Sequence, residues 1–275
     1  MKAMPSRDVL TADELSQIRN LDRILPSQPI LSKYFNGDQA QFYRRLESLL
    51  HSVLPTRTLE EKWDLVGKPG VSYSSLGSDF NTLHFYQLLI RLGRYERVLE
   101  LGTFIGVSTL FLAEAVGERG KVTSVELQQE FHDIAKINVE RSGYAARVEL
   151  LKGCVVEIVT RLAQSGAKYD LVLIDAAKQS YGEMLDPALA CLNPGGLVLV
   201  DDIFLNGDTL NPAPSLDKGE GVRAMLEKAN AIEGVAKVIL PIGNGLLLIH
   251  PHGARARTPR PRTEPLYRIA HPPRT

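Results

Sequence analysis

Three carboxylates stand at the ends of two short, largely apolar runs. Asp175 follows Tyr169-Asp170-Leu171-Val172-Leu173-Ile174, and the pair Asp201-Asp202 follows Leu197-Val198-Leu199-Val200. If the two runs are neighbouring strands, the three acids converge. Hard oxygen donors with no Cys or His among them select Mg2+, Mn2+ or Ca2+ rather than zinc. Burying three acids without a cation is expensive. The alternative is that one or two of them cap the turns that follow. Lys178 lies three residues past Asp175. Beside a divalent cation its charged form is disfavoured, which lowers its pKa and suits it to accept a proton. The competing role is a salt bridge to the same acids.

A second set of residues suits a nucleoside ligand. Glu100-Leu101-Gly102-Thr103-Phe104-Ile105-Gly106 joins an apolar run to an apolar helix. Gly102 permits a tight turn, and Gly106 lets a ligand approach the backbone at the helix start. A dinucleotide fingerprint places a glycine where Phe104 stands, and a P-loop needs Gly-Lys-Ser/Thr. An acid before the first glycine repels phosphate and suits a cationic group. Glu100 can face an ammonium or sulfonium, while Ser108 and the free N–H groups of the helix start take a carboxylate. S-adenosylmethionine (SAM) has that combination of charges. Glu126 ends the next apolar run, where an acid can chelate a ribose diol. The bland alternatives are a structural glycine turn and a surface acid.

These residues need a frame, and alternating strand and helix patterns supply it. Strands are expected at residues 97–101, 121–127, 148–151, 169–174 and 197–200. Helices are expected at 78–92, 107–116, 129–142, 181–192 and 221–233, with Asn193-Pro194-Gly195-Gly196 stopping the fourth of these. Residues 235–240 and 245–250 flank Pro241-Ile242-Gly243-Asn244 and form a hairpin. Apolar strands alternating with helices mean a mostly parallel α/β sheet covered on both faces, with ligands bound beyond the carboxyl ends of the strands. Upstream, residues 39–54 place Phe42, Leu46, Leu49, Leu50 and Val53 on one helical face.

Composition narrows the classes. Of 275 residues, 44% are hydrophobic and 23% charged, and 32 bases balance 32 acids. A nucleic-acid partner is disfavoured, because no basic excess appears. Two cysteines, Cys154 and Cys191, exclude a disulfide scaffold and a cysteine-rich zinc module; both are expected to be buried and reduced. The balance conceals an asymmetry: residues 251–275 hold six arginines, six prolines and a single acid, Glu264, and are expected to form a disordered tail. The opening residues contain no continuous apolar stretch of the secretory kind. No apolar run approaches the roughly 20 residues a membrane helix needs. The expectation is a soluble, cytoplasmic protein without a membrane partner.

Together these motifs resemble the cation-dependent O-methyltransferases, which include the caffeoyl-coenzyme A and catechol O-methyltransferases. The resemblance rests on Val98-Leu99-Glu100-Leu101-Gly102-Thr103-Phe104-Ile105-Gly106-Val107-Ser108, on Lys121-Val122-Thr123-Ser124-Val125-Glu126, on Ile174-Asp175-Ala176-Ala177-Lys178-Gln179-Ser180-Tyr181, on Asp201-Asp202, and on the closing Leu240-Pro241-Ile242-Gly243-Asn244-Gly245-Leu246. It implies a Rossmann-like class I methyltransferase: a mostly parallel seven-stranded sheet, a C-terminal antiparallel hairpin and helices on both faces. It implies that Ser78, Glu100, Gly102, Thr103 and Ser108 hold the methionine end of SAM, with Asp175 also at the cofactor. Glu126 would hold the ribose and Val155 would lie by the adenine. Asp175, Asp201 and Asp202 would hold Mg2+, or Mn2+ or Ca2+. Lys178 would be the base and Asn206 would lie near the acceptor, a small hydroxylated molecule of the catechol or vicinal-diol kind. Residues 1–70 would form a helical extension that shapes the acceptor site and a homodimer, and 71–250 the catalytic domain. Two departures stand out: Asp202 replaces an Asn usual in relatives, and Ala177 replaces an acid found in the caffeoyl type. The rival readings are a metal-independent O- or N-methyltransferase and a non-catalytic cofactor-binding module.

Overall fold

Side-chain alternation along the central strands sorts the core into two layers, one on each side of the sheet. In this computed structural model the described residues are Trp63, 65–67, 80–211 and 214–252. The face at 39–54, Ser78 and the arginine- and proline-rich tail beyond His252 lie outside them. Five strands, β1 (Arg97–Leu101), β2 (Lys121–Glu126), β3 (Val148–Lys152), β4 (Tyr169–Ile174) and β5 (Leu192–Val200), run parallel. β6 (Val235–Leu240) and β7 (Leu246–Pro251) form the expected antiparallel hairpin. The order across the sheet is β3-β2-β1-β4-β5-β7-β6, with β7 antiparallel to β5.

Helices α1 (Phe80–Gly93), α2 (Val107–Ala115) and α3 (Gln129–Ser142) cover one face; α4 (Val155–Gln164), α5 (Tyr181–Ala190) and α6 (Asp217–Ala231) cover the other. Val98, Leu171, Leu173, Leu197 and Leu199 pack toward the first group, where Leu83, Tyr86, Leu110 and Phe111 meet them. Leu99, Leu101, Val172, Ile174, Val198 and Val200 pack toward the second, against Val159, Tyr181, Met184 and Val222. The strand order reverses between β1 and β4, so the loops after those two strands flank the crevice in which such sheets bind ligands.

Two local expectations need correction, and one helix was not expected. Helix α4 has no counterpart among the elements expected from sequence, although Val155, Ile158, Val159 and Leu162 form an apolar stripe at helical spacing that packs into the core. Helix α5 ends at Ala190, and Asn193-Pro194-Gly195-Gly196 belongs to β5 instead. There it loops out where the register on β4 jumps from Tyr169↔Leu192 to Leu171↔Leu197. Helix α6 begins at Asp217, four residues before the expected start, because Asp208 accepts the backbone N–H groups of Ser215 and Leu216 and organises the approach to the helix. Of the two thiols, Cys191 is buried and Cys154 half-buried; both are free. No helix among the described residues is long and apolar enough to cross a membrane.

Candidate active site

Gly102 has φ +112°, and a methyl group added there would lie 1.9 Å from the carbonyl oxygen of Asp175. The loops after β1 and β4 therefore touch, and only glycine lets them do so. The contact is continued by the Asp175 N–H, which donates to the Leu101 carbonyl at 2.9 Å. Gly106, at φ +89°, starts α2.

Glu100 is fully buried beneath this loop. Its Oε2 accepts the hydroxyls of Thr109 and Ser124, each at 2.5 Å, while its Oε1 is buried with no hydrogen-bond partner. Burial pushes the carboxyl up to about 7; the surrounding hydroxyls of Ser108, Ser124 and Thr109 oppose that rise, and the nearby Asp175 adds to it. A buried acceptor with one oxygen unpartnered fits an incoming cationic donor such as an ammonium. The Thr103 hydroxyl sits 2.6 Å from Ser124 Oγ, so this side chain faces the sheet beside Glu100.

Glu126 is oriented from both sides. Its Oε2 accepts the Phe104 N–H and its Oε1 accepts the Gln128 N–H, both at 2.8 Å. Each oxygen keeps a second lone pair, which is what a ribose diol requires. Phe104 adopts φ +52° to make this bond and stacks edge-on against Phe131 at 4.6 Å. Val155 opens α4 and is 7% exposed, on the far side of Gly153, whose N–H donates to the Glu126 carbonyl. These residues fit the adenosine and methionine portions of SAM.

The acids of β4 and β5 are arranged differently from the expectation. Lys178, in a 3₁₀ turn (Lys178–Ser180), places its Nζ 2.7 Å from Asp175 Oδ1 and 2.9 Å from Asp202 Oδ2. Asp201 is turned aside: its Oδ2 accepts the Tyr86 hydroxyl at 2.6 Å and its Oδ1 accepts the Asp202 N–H at 2.7 Å. The Tyr181 hydroxyl, from the opposite face of the sheet, donates to the Asp201 carbonyl at 3.1 Å. Two carboxylates thus converge, not three. Among the described residues no group of three or more His, Cys, Asp or Glu side chains is placed to hold a metal ion. The fall in the Lys178 pKa is expected beside a divalent cation; with the two carboxylates alone as charged neighbours the shift is upward. Burial works against the ammonium, but Asp175 and then Asp202 outweigh it and hold the group protonated well above its ordinary range. The sign follows from the charge present: two anions stabilise the ammonium, whereas a second cation would oppose it. Two hard carboxylates aimed at one point still fit Mg2+, which often takes one or two carboxylates and completes its shell with water and substrate.

Asn206 is exposed, four residues past Asp202, in a left-handed conformation, with its N–H on Asn244 Oδ1 at 2.7 Å. Ser108 is half-buried in the first turn of α2. Sequence reasoning passed over Tyr86 as a partner for Asp201. It also passed over Asn138, whose fully buried amide accepts the Val66 N–H and donates to the carbonyls of Val66 and Ile105. A signal for Asn138 exists: it is a polar residue on the stripe of α3 that also buries Ala135 and Val139.

Comparison with known proteins places this geometry among relatives. A family model described as O-methyltransferase matches residues 67–251. Catechol O-methyltransferase of Niastella koreensis is 31% identical over 171 residues, covering 61% of this chain and 75% of the relative. Caffeoyl-CoA O-methyltransferase 2 of Petunia hybrida is 27% identical over 174 residues, covering 60% and 72%. The crystal structure of the O-methyltransferase TomG from Streptomyces achromogenes, in complex with SAM and involved in tomaymycin synthesis, matches with a TM-score of 0.64 at 26% identity, over 76% of this chain and 96% of that one.

Proposed function

This chain belongs to the O-methyltransferase family, and we propose that it moves the methyl group of SAM to a hydroxyl of a small catechol-like or vicinal-diol acceptor, with a divalent cation held by Asp175 and Asp202. The observation that carries this reading is the convergence of Asp175 and Asp202 on Lys178, across Gly102 from the buried Glu100. SAM supplies an electrophilic methyl on a positive sulfur, and a divalent cation supplies Lewis acidity that lowers the pKa of an acceptor hydroxyl.

The chain's own residues do the rest. Glu100 and Ser108 hold the methionine end and Glu126 the ribose, with Val155 as an apolar wall for the adenine. Ser78, outside the described residues, belongs with the methionine end in this reading. Lys178, once its two carboxylates are shared with a second cation, takes the proton of the acceptor hydroxyl. Asp201 keeps its place behind them through Tyr86 and Tyr181, and Asn206 touches the acceptor. Catalysis then rests mainly on positioning. Residues 1–70 are assigned to the acceptor site and to a homodimer, and the setting is the cytoplasm.

A second reading, metal-independent transfer, draws on the fact that Lys178 already balances Asp175 and Asp202 while Asp201 faces Tyr86. Initial rates with SAM and catechol, against Mg2+ concentration and in excess EDTA, separate the two. The proposed reading expects EDTA to abolish turnover. It also expects Asp175→Ala to lower turnover by on the order of a hundredfold, with SAM affinity much less affected. Full activity in EDTA establishes the second reading, and failure of SAM to bind overturns both.

A further inference from the structure

The chain leaving β5 follows a path that its residue types do not favour. Asp202, Leu205 and Asn206 have φ of +59°, +44° and +53°, followed by Gly207 at +92°. Asparagine tolerates the left-handed region, but a leucine there is strained, so neighbouring structure must hold the loop. The turn between β6 and β7 does so at three points. The Ile203 N–H donates to the Gly245 carbonyl at 3.1 Å and the Phe204 N–H to the Asn244 carbonyl at 2.8 Å. The Asn206 N–H donates to the Asn244 side-chain oxygen at 2.7 Å. The turn and the loop also fit closely, since a methyl group added at Gly245 would lie 2.2 Å from the Phe204 ring.

The first two bonds are made by backbone and would survive any side chain at 244. The third depends on Asn244 itself and falls on the one residue of the three that is exposed, four residues past Asp202. A backbone N–H can only donate, so the group facing it must be an acceptor oxygen. We propose that Asn244, on the closing hairpin turn, is a positioning residue for the acceptor: it holds Asn206 in its left-handed conformation and thereby sets where the Asn206 side chain meets the substrate. This rests on the placement of Asn206 at the acceptor in the function proposed above. Because Asn206 is exposed, water can replace the lost bond in a variant. The fold should therefore stand while the loop relaxes toward conformations its residues prefer.

The test pairs Asn244→Ala with Asn244→Asp, which keeps an acceptor oxygen. With catechol as the acceptor probe, Asn244→Ala should raise its KM about tenfold, leaving the SAM dissociation constant within about twofold of the original. Amide hydrogen exchange, which needs no turnover, should quicken across 203–207 and stay unchanged across β7. Asn244→Asp should restore both readouts. Unchanged exchange in Asn244→Ala overturns the proposal, as does equal impairment of Asn244→Asp or a parallel loss of SAM affinity. If the unsubstituted protein binds SAM but does not methylate catechol, the acceptor class proposed above is wrong. The exchange measurement on the same variants then decides whether Asn244 holds the loop.

Discussion

At Glu100, burial and hydrogen bonding pull in opposite directions. Thr109, Ser124 and Ser108 favour the carboxylate, yet burial dominates and the group titrates at about 7 instead of its ordinary 4.5. The folded state therefore holds a proton that the unfolded chain has released between these two values. Stability should fall as pH rises from 4.5 through 7, by on the order of 3 kcal/mol, and stay low above that. Glu100→Gln removes the titration. In urea unfolding of the SAM-free protein the variant should be the more stable of the two at pH 8, with the gap closing at pH 5. Its affinity for SAM should drop about tenfold, since a neutral amide cannot match a cationic amine. A variant no more stable than the parent at pH 8 would show that the carboxyl is not strained. The buried, half-satisfied acid is a conflict tolerated where a ligand is to be met.

At the scale of elements, Asn138 ties helix α3 to two other pieces of chain. Its amide pairs with Val66 as a neighbouring strand would, and its remaining N–H takes the Ile105 carbonyl in the glycine loop. Trp63, three residues before Val66, packs edge-on against Phe111 of α2 at 5.0 Å. Trp63 and Val66 are thus fastened to the helices that flank the glycine loop. Asn138→Ala would leave three backbone groups unpaired in or near the core, and the loss should be on the order of 3 kcal/mol. Denaturant unfolding that reports less than about 1 kcal/mol would show the clasp to be replaceable by water. Lys237 plays a comparable part at the other edge, where its ammonium takes the carbonyls of Ala229, Asn230 and Ile232 at the end of α6.

For the whole molecule, the two halves of the sheet supply different parts of the site: β1 and β2 bring Glu100 and Glu126, and β4 and β5 bring the acids and Lys178. Apolar surface remains outside this arrangement. Leu88 and Leu92, one turn apart on α1, are 51% and 73% exposed. The homodimer proposed above would cover these two side chains. Light scattering at micromolar concentration should report twice the chain mass, and a value equal to one chain would refute the assembly.

Local pattern was enough to read five parallel strands, the closing hairpin, the glycine turn at Gly102 and the acids at the strand ends. Each depends on neighbours within a few residues: side-chain alternation, an apolar run, a glycine where a Cβ would clash. The stripe of α4 was equally local but went unread. What only the tertiary structure decided is how distant groups share charge and hydrogen bonds. Nothing near Asp201 announces that Tyr86, 115 residues earlier, takes its carboxylate. Nothing near Asn206 announces Asn244, 38 residues on. The packing of α1 on the sheet sets the first pair, and the pairing of β5 with β7 sets the second. The spacing of Lys178 from Asp175 allowed either a base or a salt bridge, and only the folded chain brings Asp202 to the other side of the same nitrogen.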